Sequence, residues 1–217
     1  MKYNLKKYLS LMTAFFLVLL LLPIRVWAST PISILYTNDV HCGLEGYSKL
    51  AAYRQSLTDA GISTVLVDAG DHVQGELIGT MDQGESIIDI MNQMNYDYAV
   101  PRNHEFDYKV PQFLSLMNRA TFKYLSANFK HADGTDIMDA YAIKEIDGHK
   151  IGFVGICTPE PYTKSTPVYF QDASGNYVYT FSEDTFYATI QAAVDAAKAA
   201  GAEAIVAIWS YRYGWFY

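Results

Sequence analysis

The sequence predicts an α/β fold with a largely parallel or mixed sheet. Short runs rich in β-branched and aromatic residues alternate with longer runs whose apolar positions recur at helical spacing. Three of the strand-like runs also end in Asp, His and Asn, at the carboxyl ends where open α/β sheets bind ligands.

The elements follow in order. "ISILYT" (Ile32 to Thr37) reads as a strand, and "YSKLAAYRQSLTDAG" as a helix stopped by Gly61. "TVLVDAG" is the second strand, "ESIIDIMNQMN" the second helix and "YDYAV" a short third strand. "VPQFLSLMNRA" continues as a helix and "KYLSAN" as a strand. "AYAIKEIDG" and "HKIGFVGI" predict a hairpin turning at Asp147-Gly148. "EDTFYATIQAAVDAAKAAG" is the clearest amphipathic helix and feeds the strand "AEAIVAI". Thr158 to Tyr179, with three prolines and Gly175, reads as one long surface excursion.

Before the first strand, Lys2, Lys6 and Lys7 precede an apolar stretch from Leu11 to Ile24, and "VWA" places small residues at a cleavage site. This pattern predicts a signal peptide over 1–28, cut after Ala28, and an exported chain. An uncleaved anchor is the competing reading, disfavoured by the short apolar stretch and its Pro23. Removal of the leader leaves 12 basic against 23 acidic side chains, a formal charge of −11. That excess of acid argues against nucleic-acid polymers and anionic membrane as partners. Two cysteines, Cys42 and Cys157, do not define a disulfide framework; a bridge and a free pair are equally compatible with the sequence.

The strand ends carry the chemistry. The first runs into "TNDVHCG", the second into "DAGDHVQG" and the third into "PRNHEFDY". Asp39, His41, Asp71, Asn103 and His104 are carboxylate, imidazole and amide donors of the kind that suit divalent Mn, Fe, Zn or Co. Asp71, on the middle strand end, is placed to bridge two ions, which together would activate a water and clamp a phosphoryl group. Singly, each cluster is also what a turn or a helix N-terminus would show. In order, on three successive strand ends, they point to one site.

"ILYTNDVHCGL", "VLVDAGDHVQG" and "NHEFDY" together resemble the calcineurin-like metallophosphoesterases, in particular the secreted branch of 5'-nucleotidases and 2',3'-cyclic phosphodiesterases, whose bacterial members include UDP-sugar hydrolases. "GFVGICTPEPYTKSTP" resembles the same branch, and the likeness covers about Ile32 to Ile208. It implies a four-layer α-β-β-α sandwich over 29–208, incomplete at its C-terminus. It also implies two divalent metal ions and a nucleotide or nucleotide-sugar substrate. By that resemblance Asp39 and His41 hold the first metal, Asp71 bridges, and Asn103 holds the second. His104 faces the substrate phosphate, oriented by Asp107. Glu105 is expected to be framework and Phe106 core, while His72, His131 and His149 are expected on the surface or in turns.

Two features depart from the family. Arg102 stands where the family has Gly; it is expected to displace the Asn103 loop, the alternative being that it reaches a phosphate. The last strand runs into Trp209-Ser210 instead of Gly-His, and six aromatic residues fill positions 209–217. A one-base shift within the Trp209 codon permits Gly-His-Thr-Gly-Thr-Asp-Gly, so 209–217 are expected to be a frameshifted tail. An evolved aromatic tail and a short non-catalytic exported module that binds a metal or a partner are the alternatives. The frameshift reading predicts that Ser210 is encoded by TCA and that the shifted frame stays open to a His-x-His pair. Sequencing the coding DNA checks both, and any other Ser210 codon excludes the shift.

Overall fold

The computed structural model describes residues 31–159 and 164–209, with the isolated residues 8, 12 and 13. The expected leader is thus almost entirely outside the described residues, as is the tail beyond Trp209. Among the described residues no helix is long and apolar enough to cross a membrane.

Ile32–Thr37 (β1) is followed by the helix Leu44–Asp59 (α1), Ser63–Asp68 (β2), and the helices Leu77–Met81 (α2) and Glu85–Gln93 (α3). Tyr98–Ala99 (β3), Lys109–Arg119 (α4) and Lys123–Tyr124 (β4) complete this half. The four strands form one parallel sheet in the order β1-β2-β3-β4. Lys130–His131 (β5) precedes Tyr141–Ile146 (β6) and His149–Ile156 (β7). These last two form the predicted antiparallel hairpin, with Asp147 and Gly148 both in the left-handed region, at φ 51° and 84°. Tyr179–Thr180 (β8) pairs with β5, and Phe186–Ala199 (α5) leads into Ala204–Trp209 (β9), which lies parallel to β7.

Strand alternation sorts the apolar side chains into three cores, and the cores define the layers. Along β2, Leu66 points to the helices and packs with Tyr47, Ile87, Met91 and Phe113, whereas Val65 and Val67 point the other way. Those valines meet Ile151, Phe153 and Ile208 of the second sheet, and the Tyr98 and Phe153 rings lie 4.9 Å apart across the gap. The opposite face of β7 carries Val154 and Ile156, which pack with Ala193 and Ala197 of α5. The stack is therefore helix, sheet, sheet, helix, the α-β-β-α order expected of the resemblance.

The segment 158–179 is not simply a surface excursion. Residues 160–163 lie outside the described residues, but Phe170 is fully buried and its ring lies 5.2 Å from that of Phe106. Phe106 also meets Phe113, Phe129 and Phe181 at 5.0–5.8 Å. Burying each such ring contributes about 1.5–3 kcal/mol, enough to hold a proline-rich segment down. Phe106 is core, as expected.

Gly155 on β7 shows how closely the sheets approach. A Cβ there would sit 2.2 Å from the Leu125 carbonyl oxygen, so the strand cannot accept a side chain without moving. Gly155→Ala is expected to cost roughly 1–3 kcal/mol, read as a lowered urea midpoint against the unsubstituted chain.

Candidate active site

The loops that leave β1 and β2 are stitched together by backbone. Asp39 N–H donates to Gly70 O at 3.1 Å and His41 N–H to Asp71 O at 3.0 Å. Asp39, His41, Cys42 and Asp71 all adopt left-handed conformations, with φ between 47° and 63°. Four non-glycine residues held that way in two adjoining loops is costly backbone, the kind that concentrates at functional sites.

The third loop is tied in by one carboxylate. Glu105 is fully buried and accepts from the backbone N–H groups of Asp71, His72 and Arg102, at 2.9, 2.9 and 2.8 Å. Burial works against its ionised form, but His72 and these three donors outweigh it and hold the carboxyl below its ordinary value. Glu105 is framework, as expected from the sequence, and it fixes where Asp71 and Arg102 stand.

His41, Asp71 and His104 present ligand atoms within 4.8 Å of one another. The His41 and His104 rings lie 4.8 Å apart at 74°. His41 Nδ1 is 3.0 Å from Gln74 O, so Nδ1–H donates there and Nε2 keeps a lone pair for a ligand; it lies 3.8 Å from Asp39 Oδ1. His104 N–H donates to Asp71 Oδ1 at 2.9 Å, and its Nδ1 is 2.6 Å from Asp107 Oδ2. The bond to Asp107 raises the His104 pKa; partial burial opposes this and the Asp71 charge adds to it. Asn103 lies in the same loop, buried, its carbonyl accepting from Ser165 Oγ at 2.5 Å. These contacts link Asp39, His41, Asp71, His104 and Asp107 around one point, whereas the Asn103 side chain makes no hydrogen bond to the cluster among the described residues.

The donor chemistry fits a divalent cation. Asp39 Oδ1 and Asp71 Oδ2 converge on a single position, and the group at that position is the Arg102 Nη1, 2.5 and 2.6 Å away. Arg102 is 2 % exposed. Arg102 and its other partners hold the Asp39 carboxyl below its ordinary value against partial burial, while burial, with Glu105 nearby, pushes Asp71 up to about 7.

No protein-family model matches the chain. Over 208 residues it is 30% identical to the 5'-nucleotidase of Bos taurus, covering 85% of this chain and 34% of that protein. It is 27% identical over 166 residues to the trifunctional nucleotide phosphoesterase protein YfkN of Bacillus subtilis (strain 168), covering 61% of this chain and 11% of that one. Two solved structures share the fold at a TM-score of 0.68 and 23% identity. The calcineurin-like phosphoesterase YfkN from Bacillus subtilis is matched over 83% of this chain and 62% of its own. The 5'-nucleotidase precursor from Thermus thermophilus is matched over 81% and 36%. The chain has the fold of the calcineurin-like phosphoesterases, and the 5'-nucleotidases are among its relatives in sequence. It spans about a third of the length of the first curated relatives it matches.

Within this phosphoesterase fold, one histidine was misplaced by sequence reasoning. His72 is not at the surface but fully buried. Its Nδ1 lies 2.7 Å from Asp68 Oδ1 and 3.3 Å from Glu105 Oε1, and its Nε2 lies 2.6 Å from the Tyr124 hydroxyl. The signal was the spacing of Asp68 and His72, which a tight strand-end loop folds together; neither residue type alone announces burial. His131 and His149 behave as expected, the first half-buried against the Tyr179 ring and the second exposed beside Glu203. Cys42 and Cys157 are both buried and neither forms a disulfide among the described residues; burial pushes the Cys42 thiol up to about 11, which disfavours its thiolate at neutral pH.

Burial alone would lower the His72 pKa, but Glu105 and then Asp68 raise it to about 9, above the ordinary 6.5. Its contribution to stability is therefore fully present below pH 6.5 and is lost as the pH rises through about 9. The chain is expected to lose stability on the order of 3 kcal/mol across that window. Urea midpoints measured from pH 6 to pH 10 should show the loss, and His72→Gln, less stable at neutral pH, should flatten it.

Proposed function

We propose that this chain carries the metal-dependent phosphoester hydrolase site of an exported 5'-nucleotidase-type enzyme, acting on nucleotides or nucleotide sugars. The observation that supports it is the convergence of Asp39, His41, Asp71 and His104 from three successive strand ends, with Asp107 on His104. Asp39, His41, Asp71 and Asn103 would hold two divalent ions. Such a pair supplies Lewis acidity and lowers the pKa of a nucleophilic water.

The chain's own residues then have distinct tasks. Asp107 accepts from His104 Nδ1–H, which fixes the ring and favours its protonated form. The other ring nitrogen carries a proton that can be donated to a phosphoryl oxygen or to the departing alkoxide. Glu105 holds the loops so that this donor does not wander, and the backbone N–H of His104 keeps the Asp71 carboxylate aimed inward.

A second reading is favoured by one observation: Arg102 already neutralises the paired carboxylates. On that reading the chain is a non-catalytic exported module that binds a metal or a partner.

Assays of 5'-AMP, a 2',3'-cyclic nucleotide and a UDP-sugar with added Mn separate the two. The enzyme reading expects metal-dependent release of phosphate or sugar phosphate, reduced about 10²–10³-fold by His104→Ala. Because the acid form of His104 acts, the rate should fall as the pH rises through its elevated pKa. Asp107→Asn removes the bond that elevates it and should move that limb to lower pH. No turnover of any substrate by this chain or by its frame-restored form excludes the enzyme reading.

A further inference from the structure

Arg102 is held at both ends. Its backbone N–H is fixed by Glu105 at 2.8 Å, and Nη1 lies between Asp39 Oδ1 and Asp71 Oδ2 at 2.5 and 2.6 Å. Its Cβ lies against Gly70, where an added Cβ would be 2.7 Å away, so the bare glycine makes room for a side chain at this position. Arg102 is not among the residues with positive φ, so its backbone is one any residue adopts. The side chain fills the gap between two carboxylates.

A guanidinium suits that position. It is weakly hydrated, its planar fork matches carboxylates, and it cannot lose its proton at any working pH. Its charge cannot be titrated away to make room for an ion.

We propose that Arg102 is a built-in cation of this site, competing directly with a divalent ion for Asp39 and Asp71, so that the chain holds at most one metal ion tightly. This rests on the reading of Asp39 and Asp71 as metal ligands. Arg102 thereby acts as an autoinhibitory side chain. A second ion enters only when the guanidinium swings out, and Mn concentration sets how often it does.

The test is Mn binding to the chain, measured by titration calorimetry and by the electron-spin signal of free Mn. Arg102→Gly and Arg102→Met are compared with the unsubstituted protein, with far-UV circular dichroism as the check on folding. Releasing two carboxylates from a buried charged partner should tighten Mn binding on the order of 10²-fold and add one ion per chain at saturation. Arg102→Met keeps the Cβ against Gly70 and a stem of similar length without the charge, so it carries the comparison where the glycine variant does not fold. Two tightly bound ions in the unsubstituted chain overturn the proposal without any variant. Equal affinity and stoichiometry in all three proteins overturn it while leaving the metal reading intact. Absence of Mn binding in all three overturns both.

Discussion

The Glu105 carboxylate accepts hydrogen bonds from three backbone amides on two loops, and the geometry of the site depends on that clamp. Those amides belong to Asp71, His72 and Arg102, the three residues that set charge at the centre. A carboxylate with no water around it is tolerated only when its lone pairs are filled and a cation is close. Both conditions are met, the second by His72 at 3.3 Å. His72 is in turn held by Asp68, which also accepts from Thr37 Oγ1 and Gly70 N–H. One buried polar chain therefore runs from β1 through β2 to the third loop. Fully satisfied networks of this kind are rigid, because each member leaves its neighbour unsatisfied if it moves.

That rigidity permits the strained backbone around it. Asp39, His41 and Asp71 keep left-handed conformations because the surrounding hydrogen bonds leave no relaxed alternative. The floor beneath them is apolar: Phe106, one residue after the clamp, is locked among four other phenylalanines. Polar clamp and aromatic floor lie on consecutive residues of one short helical turn, His104–Phe106. Chemistry is thus presented by loops, and precision is supplied by what lies under them.

The charge distribution follows the same economy. Asp39, Asp71, Glu105, Asp68 and Asp107 surround the site, and the cationic groups set against them are His72, His104 and Arg102. A divalent ion would relieve the same excess. Arg102 places one positive charge where such an ion would place two, and unlike the ion it is tethered to the chain.

The alternation of runs, the Asp147-Gly148 hairpin and the order of elements were legible in the sequence because they rest on local chemistry: side-chain period, turn residues and chain length. The cluster of Asp39, His41, Asp71, His104 and Asp107 was legible because each lies just past a strand end, and parallel strands bring their carboxyl ends to one side. What a single chain could not show was depth. His72 and Arg102 read as a turn residue and a loop misfit, yet both are buried ions whose positions are set by partners 30 or more residues away. The Thr158 to Tyr179 segment read as surface because prolines speak for loops, but Phe170 found an aromatic pocket that only the folded third loop creates. Sequence alone determined which donors meet. Tertiary structure decided which charges are shut away from water, because burial depends on contacts between segments far apart along the chain.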